Sequence, residues 1–162
     1  MKTRKGFTLI ELIVVIAIIG VLAAILVPSM LGYVRKSKIS SANDAAASVQ
    51  KAINTACIEL DEAGSLPGDN TYTHTAGAAI STTITKSDEF GKKIFNYMDA
   101  GTKVAFQAKI DGGVCVAVAA CPDGTYVGTY PAGVVTVDNY KTTYTSDKLG
   151  DALTAAAAKV SA

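Results

Sequence analysis

The hydrophobic pattern divides the chain into one continuous apolar run and a longer stretch in which apolar and polar positions alternate. Positions 7–27 form a run of 21 residues in which Glu11 carries the only charge. A helix of ~20 apolar residues covers roughly 30 Å, the thickness of the hydrocarbon core of a bilayer. The run therefore predicts a membrane-spanning helix, and its single carboxylate needs an explanation.

Beyond Pro28 the apolar residues recur at steps of three or four, which is the spacing of one helix face. These positions are Ile39, Ala42, Ala46, Val49, Ile53, Cys57 and Leu60. Gly64 fits a C-cap and Pro67 cannot continue the helix, so the predicted helix runs from about residue 7 to 63. Its apolar first half can pack only on lipid or on copies of itself, whereas its second half needs a sheet.

The residues after the long helix predict a connection and a short second helix. Residues 65–85 are rich in Gly, Ser, Thr and Ala and predict an irregular connection, so His74, the only histidine, is expected to be an exposed loop residue. Ser87 is a suitable N-cap, which predicts a short helix over 88–99.

The region 103–145 predicts an antiparallel sheet, so the fold class is α+β. Strands over 104–110 and 113–120 form a hairpin around a type I′ turn at Asp111 and Gly112. Further strands are predicted over 126–130, 134–137 and 141–145, and the short connections make the sheet antiparallel. Both faces need cover, from the long helix on one side and residues 65–102 on the other. The tail, 146–162, predicts an amphipathic helix.

Three cysteines leave the pairing open. In a regular strand Cys115 and Cys121 share a face with Ala117 and Ala119 and lie ~20 Å apart, too far to bridge. Cys57 on the core face of the long helix is the better partner for one of the two. An exported domain would then keep one thiol over, whereas in the cytosol all three would be reduced.

Composition and motifs exclude several function classes. The net charge of +1, without a basic patch interleaved with aromatics, argues against a nucleic-acid partner. His74 has no nucleophile and orienting acid in a recognisable pattern, and the sequence has no Gly-rich phosphate loop and no metal-spaced Cys or His set. We therefore expect a protein that is not an enzyme and has no cofactor or metal.

The flanks of the apolar run orient it. Lys2, Arg4 and Lys5 precede it directly, which favours a cytoplasmic N-terminus and an exported head. A secretory signal peptide should end in an A-x-A-like cleavage site, and this run ends poorly for that purpose. A plain single-pass anchor would explain its length but not Glu11.

The stretch from Lys5 to Leu12, KGFTLIEL, resembles the class III leader and N-terminal signature of type IV pilins and pseudopilins. This resemblance implies that a prepilin peptidase/methyltransferase cleaves after Gly6 and methylates the new amine of Phe7. It divides the chain into a leader at 1–6, a transmembrane and filament-core helix at 7–30 and a head at 31–162. Gly20 and Pro28 also match the family pattern, where this stretch can unwind in filaments.

Leader removal gives the signature a physical reason. A carboxylate in the middle of a spanning helix costs ~2.5–3.5 kcal/mol and needs a cation. Cleavage creates a cationic amine at Phe7, one helical turn from Glu11, and leaves 12 of the 15 basic side chains against 14 acidic ones. Glu11 could pair with the amine of its own chain, with that of a neighbouring subunit, which the resemblance favours, or snorkel to headgroups.

The resemblance implies a major-type pilin that is held in the inner (cytoplasmic) membrane as a precursor and polymerises with itself into a type IV pilus at the cell surface. Its partners would be the peptidase, the membrane, the pilus assembly machinery and its own copies. The alternatives are a pseudopilin of a type II secretion or DNA-uptake system and an unprocessed single-pass surface protein. Many type IV pilins close a loop with two late cysteines, and this sequence departs from that pattern.

Overall fold

The structure, a computed structural model, describes residues 7–74, 89–98 and 104–161. The chain divides into two compact units, one up to Arg35 and one, the head, from Lys36 onward. The predicted leader at 1–6 lies outside the described residues, as do positions 75–88, with most of the predicted connection and the Ser87 cap.

The first helix, α1, spans Leu9–Glu62, which is 54 residues and confirms the predicted long helix. In the first unit every described residue from Phe7 to Arg35 is exposed. Pro28 lies inside the helix, which is continuous through both Gly20 and Pro28 in the isolated chain. A break at these two positions therefore stays a prediction about the assembled filament.

In the head, α1 buries one stripe of its surface. All seven predicted apolar positions are buried, together with Ala52 and Ala56. After Glu62 the chain turns at Gly64, whose φ of 67° is left-handed, and the Ser65 N–H donates to the Leu60 carbonyl at 2.8 Å. Glycine suits this C-cap position because it has no Cβ to clash.

Four strands form one antiparallel sheet in the order β1-β2-β3-β4, as the pattern predicted in kind. They are β1 (Asn70–His74), β2 (Ala105–Asp111), β3 (Val114–Cys121) and β4 (Gly128–Tyr130). Between β1 and β2 lies a short helix, α2 (Glu89–Tyr97), at the position expected for the helix over 88–99.

The hairpin between β2 and β3 turns one residue later than predicted. Its two turn residues are Gly112 and Gly113, with φ of 58° and 77°, as a type I′ turn requires. Asp111 instead ends β2 opposite Val114. The prediction of Asp111 as a turn residue was wrong, because two adjacent glycines adopt the left-handed conformation at lower cost than an aspartate followed by a glycine.

A β-bulge interrupts the pairing of β2 with β3. Lys109 pairs with Ala117 while the next residue of β2, Ile110, pairs with Cys115, so Val116 is an extra residue in β3. An extra residue moves every side chain before it to the other face of the strand. The prediction that Cys115 and Cys121 share a face was therefore wrong.

The sheet has a buried cluster on each face. The α1 cluster contains Val118 and Ala120 of β3 and side chains of α1 and α2. The opposite cluster contains Ala117 and Ala119 of β3 and the third helix, α3 (Leu149–Val160). The prediction placed residues 65–102 on the second face. Of the described residues in that range, α2 packs in the α1 cluster instead, and the predicted C-terminal helix covers the second face.

The backbone of α1 lies close to the backbone of β4 at Gly128. A Cβ on Gly128 would overlap the backbone of Ala42 and Asn43. Beside it, the Thr129 N–H donates to Asn43 Oδ1 at 2.8 Å, so α1 satisfies a backbone group at the β4 edge. The absence of a side chain at position 128 therefore allows main chain to pack on main chain.

Residues 131–145 form bends and turns, and the predicted strands over 134–137 and 141–145 were wrong. The side chain of Asn139 organises this segment: its Oδ1 accepts from the Thr136 N–H at 2.7 Å and its Nδ2 donates to the Val134 carbonyl at 3.0 Å. These local bonds satisfy backbone groups that a strand would pair with a neighbour.

Strand β1 occupies part of the predicted irregular connection, and His74 lies at its end. His74 is 8% exposed, with Phe95 at 5.2 Å and Phe106 at 5.3 Å between ring centroids. The prediction of an exposed loop histidine was therefore wrong. The sequence of β1 is polar and resembles that of a loop. It forms a strand by pairing with β2, whose residues lie more than thirty positions away in the chain.

Candidate assembly site at the start of the long helix

The first turn of α1 is closed by three hydrogen bonds between Thr8 and Glu11, which run in both directions. The Thr8 N–H donates to Glu11 Oε2 at 2.8 Å, and the Thr8 hydroxyl donates to the same oxygen at 2.6 Å. In return, the Glu11 N–H donates to Thr8 Oγ1 at 3.4 Å. This is a capping box, which satisfies backbone donors that the first helical turn leaves without partners.

Thr8 was not among the predicted site residues, although its signal is present in the sequence. The spacing Thr-x-x-Glu immediately before an apolar run is the sequence signature of a capping box. Glu11 therefore has a local role at the helix start in addition to the role that the pilin resemblance implies.

The capping box positions the carboxylate of Glu11 and leaves its second oxygen able to accept another hydrogen bond. Both bonds from Thr8 end on Oε2 of Glu11. A carboxylate has lone pairs on two oxygens, so Oε1 can accept from a cation at the same time. A negative charge in the first turn also suits the positive end of the helix dipole. The arrangement can hold a charged partner at a defined place on the helix surface.

Apart from Thr8, the residues around Glu11 are apolar and exposed. Phe7 is 82% exposed and Leu9 is 76% exposed. Within the described residues, α1 is the one helix long and apolar enough to cross a membrane, with a mean hydropathy of 3.2 over 18 residues and none of that window buried. A continuous apolar surface of this size requires lipid or protein against it.

The predicted processing site straddles the edge of the described chain. Phe7 is the first described residue, and Gly6 lies outside the described residues. Cleavage between Gly6 and Phe7 would place the new amine one residue before Thr8 and its bond to Glu11.

In the head, all three cysteines are free thiols and buried. Burial raises the pKa of the Cys57 thiol to about 11 and that of Cys115 to about 12. Burial also raises the pKa of Cys121. Among the described residues, no group of three or more His, Cys, Asp or Glu side chains could hold a metal ion.

A polar contact joins α2 to α1 at the surface of the head. Lys93 Nζ lies 2.7 Å from Glu59 Oε2, and the Tyr97 hydroxyl donates to the other oxygen of Glu59. The hydrogen bond from Lys93, followed by that from Tyr97, holds the pKa of Glu59 below its ordinary range. The same bonds raise the pKa values of Lys93 and Tyr97. This arrangement is a docking contact between two helices.

Comparison with known proteins places the N-terminal segment in a defined class. Residues 1–27 match the prokaryotic N-terminal methylation motif. The matched segment contains the basic residues Lys2, Arg4 and Lys5, the carboxylate of Glu11 and the whole apolar run 7–27.

Three of the curated relatives are named as fimbrial proteins or pilins. The chain is 44% identical over 61 residues to the type IV major fimbrial protein FimA of Dichelobacter nodosus, covering 38% of this chain and 39% of that protein. It is 46% identical over 59 residues to the type IV major alpha-pilin of Moraxella bovis, covering 36% and 37%. It is 41% identical over 83 residues to the fimbrial protein EcpC of Eikenella corrodens, covering 51% and 49%.

These matches show that part of the chain is similar to type IV fimbrial proteins and pilins. Each match spans less than half of the relative's length. No solved structure matches the chain.

Proposed function

We propose that this chain is the major subunit of a type IV pilus. A prepilin peptidase/methyltransferase cleaves it after Gly6 and methylates the amine of Phe7. The apolar part of α1 then leaves the membrane and packs against the same part of other copies. In the filament, Glu11 of one subunit accepts the cationic amine of a neighbour.

The observation that carries the proposal is the exposed apolar helix with one positioned carboxylate at its start. The capping box with Thr8 holds Glu11 at the helix surface, and Oε1 is available to a second donor. A charge surrounded by apolar side chains is stabilised most by an opposite charge that arrives with its own apolar surface. The first turn of another copy offers that combination.

The route through the cell follows from the charges before the helix. Lys2, Arg4 and Lys5 favour retention of the N-terminus on the cytoplasmic side of the inner membrane. Cleavage removes all three, so the helix loses its electrostatic tether when it gains its new amine. The membrane-embedded assembly machinery then extracts the subunit into a filament on the cell surface.

The stretch from Gly20 to Pro28 supplies the flexibility that a filament core needs. Proline has no N–H to donate to the carbonyl of Ala24, and Gly20 has the lowest helix propensity in the run apart from proline. The hydroxyl of Ser29 donates to the carbonyl of Leu26 at 2.9 Å within the same stretch. Few helical bonds have to break here for the helix to unwind and lengthen.

Mass spectrometry of natively produced protein tests the processing step directly. We expect a chain that begins at Phe7 and is heavier by one methyl group than the unmodified fragment. A chain that begins at Met1 would contradict the proposal and leave the single-pass anchor as the better explanation.

Electron microscopy of cells with and without this chain tests the filament. We expect surface filaments that disappear on deletion and return when the chain is supplied again. Loss of protein secretion or DNA uptake with no change in surface filaments would identify a pseudopilin instead.

A further inference from the structure

Two of the three cysteines lie in the same buried cluster. Cys57 of α1 is 2% exposed and Cys115 of β3 is 1% exposed, and both belong to the α1 cluster. Cys121 belongs to the cluster on the opposite face of the sheet. The bulge at Val116 causes this separation, since in a regular strand Cys115 would share the face of Cys121.

Hydrogen bonds hold the backbone of Cys115 against α1. The Cys115 N–H donates to Asn54 Oδ1 at 2.7 Å, and its carbonyl accepts from Gln50 Nε2 at 3.2 Å. Asn54 precedes Cys57 by three residues, close to one helical turn. These bonds therefore place Cys115 beside the turn of α1 that carries Cys57. Burial is the main cause of the raised pKa of Cys115, and its electrostatic interaction with Cys57 raises that pKa further.

We propose that Cys57 and Cys115 form a disulfide that links α1 to β3 under oxidising conditions, and that Cys121 remains a free thiol. The oxidising compartment follows from the export proposed above, but the choice of partners does not depend on it. The link would join the second half of the long helix to the start of β3.

The chemistry is thiol–disulfide exchange with a disulfide-bearing oxidant. The thiolate of one cysteine attacks the oxidant and breaks its S–S bond, which releases one oxidant sulfur as a thiolate. The second cysteine, as thiolate, attacks the mixed disulfide and releases the other oxidant sulfur. The two cysteines lose two protons and two electrons, and the disulfide of the oxidant is reduced to two thiols.

The burial of both thiols sets the order of events. With pKa values of about 11 and about 12, Cys57 and Cys115 form little thiolate in the folded head at neutral pH. The link therefore forms while β3 is still docking on α1, and once formed it is sheltered from reductants.

A refolding experiment on the full chain tests the pairing without export or filament assembly. The protein in detergent is reduced, unfolded in denaturant and refolded with a mixture of oxidised and reduced glutathione, and the remaining thiols are alkylated. Trypsin leaves Cys115 and Cys121 in one peptide, because the nearest lysines are Lys109 and Lys141. Tandem mass spectrometry of the unreduced linked peptides then assigns the bridged sulfur.

The expected product is a Cys57–Cys115 link with Cys121 alkylated, and the same link in Cys121→Ala. Cys115→Ala should abolish it. A bridge that involves Cys121, or three alkylated thiols in the refolded wild-type chain, would overturn the proposal. The peptide analysis of the wild-type chain tests the pairing even if Cys115→Ala fails to fold. It does not bear on the proposed pilus function, which is tested separately by the mass of the processed chain that begins at Phe7.

Discussion

In the first unit, the Leu, Ile and Val side chains of α1 are exposed on every face, whereas in the head α1 buries the same residue types along a single stripe beneath a sheet. The difference reflects where the partner surface comes from. A continuous apolar pattern marks a helix whose partners are lipid or other copies, and a periodic pattern marks one whose partner is in the same chain. One helix therefore serves two kinds of packing.

The same contrast appears at the glycines of the two regions. An added Cβ at Gly20 would have no heavy atom within 4 Å, whereas at Gly128 it would overlap the backbone of Ala42 and Asn43. Glycine contributes flexibility in the first region and close packing in the second. One substitution made in both places should therefore have opposite effects.

The largest expected effect concerns the charge of the first unit. Glu11→Val removes both charge and capping box, whereas Glu11→Gln keeps a capping residue and removes only the charge. If a neighbour's amine pairs with Glu11, both variants should insert into membranes normally and lose roughly 10- to 100-fold in filament yield, because a hydrogen bond to a charged group contributes ~1.5–3 kcal/mol and 1.4 kcal/mol is tenfold. Filament yield is measured by shearing and quantitative microscopy.

Glu59→Gln, which changes a carboxylate of the head, is the matched control and should assemble normally. Normal filaments from Glu11→Gln alone would show that the helix cap matters and the charge does not. Normal filaments from Glu11→Val would contradict both roles.

The next effect is the destabilisation of the head by Gly128→Ala. Its methyl group would meet backbone atoms that no rotamer change can move, so we expect a loss of about 3 kcal/mol in unfolding free energy, the upper end for overpacking. Gly20→Ala should leave the head unchanged and favour the helix by ~1 kcal/mol. Chemical denaturation followed by circular dichroism measures both. Equal effects at the two sites would contradict the different roles of glycine at positions 20 and 128.

A smaller effect is expected where α1 binds the bulge. Asn54→Ala removes the acceptor of the Cys115 N–H, which should cost ~1–2 kcal/mol of unfolding free energy because a part-buried donor loses its partner. Thr55→Ala, on the exposed side of the same turn, should change the stability by less than about 0.5 kcal/mol. A result in which the two neighbours are equally costly would show that the bond to β3 is not what stabilises this turn.

The smallest effect is the pH dependence of α2 docking. The pKa of Glu59 is lowered from its ordinary value of 4.5. Its stabilisation of the contact between α1 and α2 is therefore fully present above pH 4.5 and is lost as pH falls through the lower pKa of the folded state. The raised pKa of Tyr97 means that its contribution is present below 10.0 and is lost as pH rises through the folded value. Hydrogen exchange of α2 amides should therefore show constant protection at neutral pH and weaker protection at both extremes. Glu59→Gln should remove the acid limb.

The parts of the fold that could be predicted are those with a long, repeated local signal. The helix over Leu9–Glu62 repeats its pattern many times, and its seven predicted core positions are all buried. The hairpin carries two adjacent glycines, so its type was predictable and its exact position was not. The capping box of Thr8 and Glu11 was also visible in the sequence and was overlooked.

The missed features depend on partners far away in the chain or on single side chains. Strand β1 is polar, and its pairing with β2 has no local signal. Residues 134–145 have the composition of a strand, but hydrogen bonds from Asn139 turn the chain instead. Val116 has nothing in its composition that marks it as the extra residue of a bulge.

The extra residue Val116 determines which side chains in the upstream part of β3 face α1 and which face α3. Side chains alternate with a period of two, so one insertion or deletion before Ala117 exchanges inner and outer residues for the whole upstream part of the strand. A related sequence one residue shorter at this point would carry its first strand cysteine on the α3 side. The length of the strand alone would then decide whether a disulfide can join β3 to α1, even though the number of cysteines is unchanged.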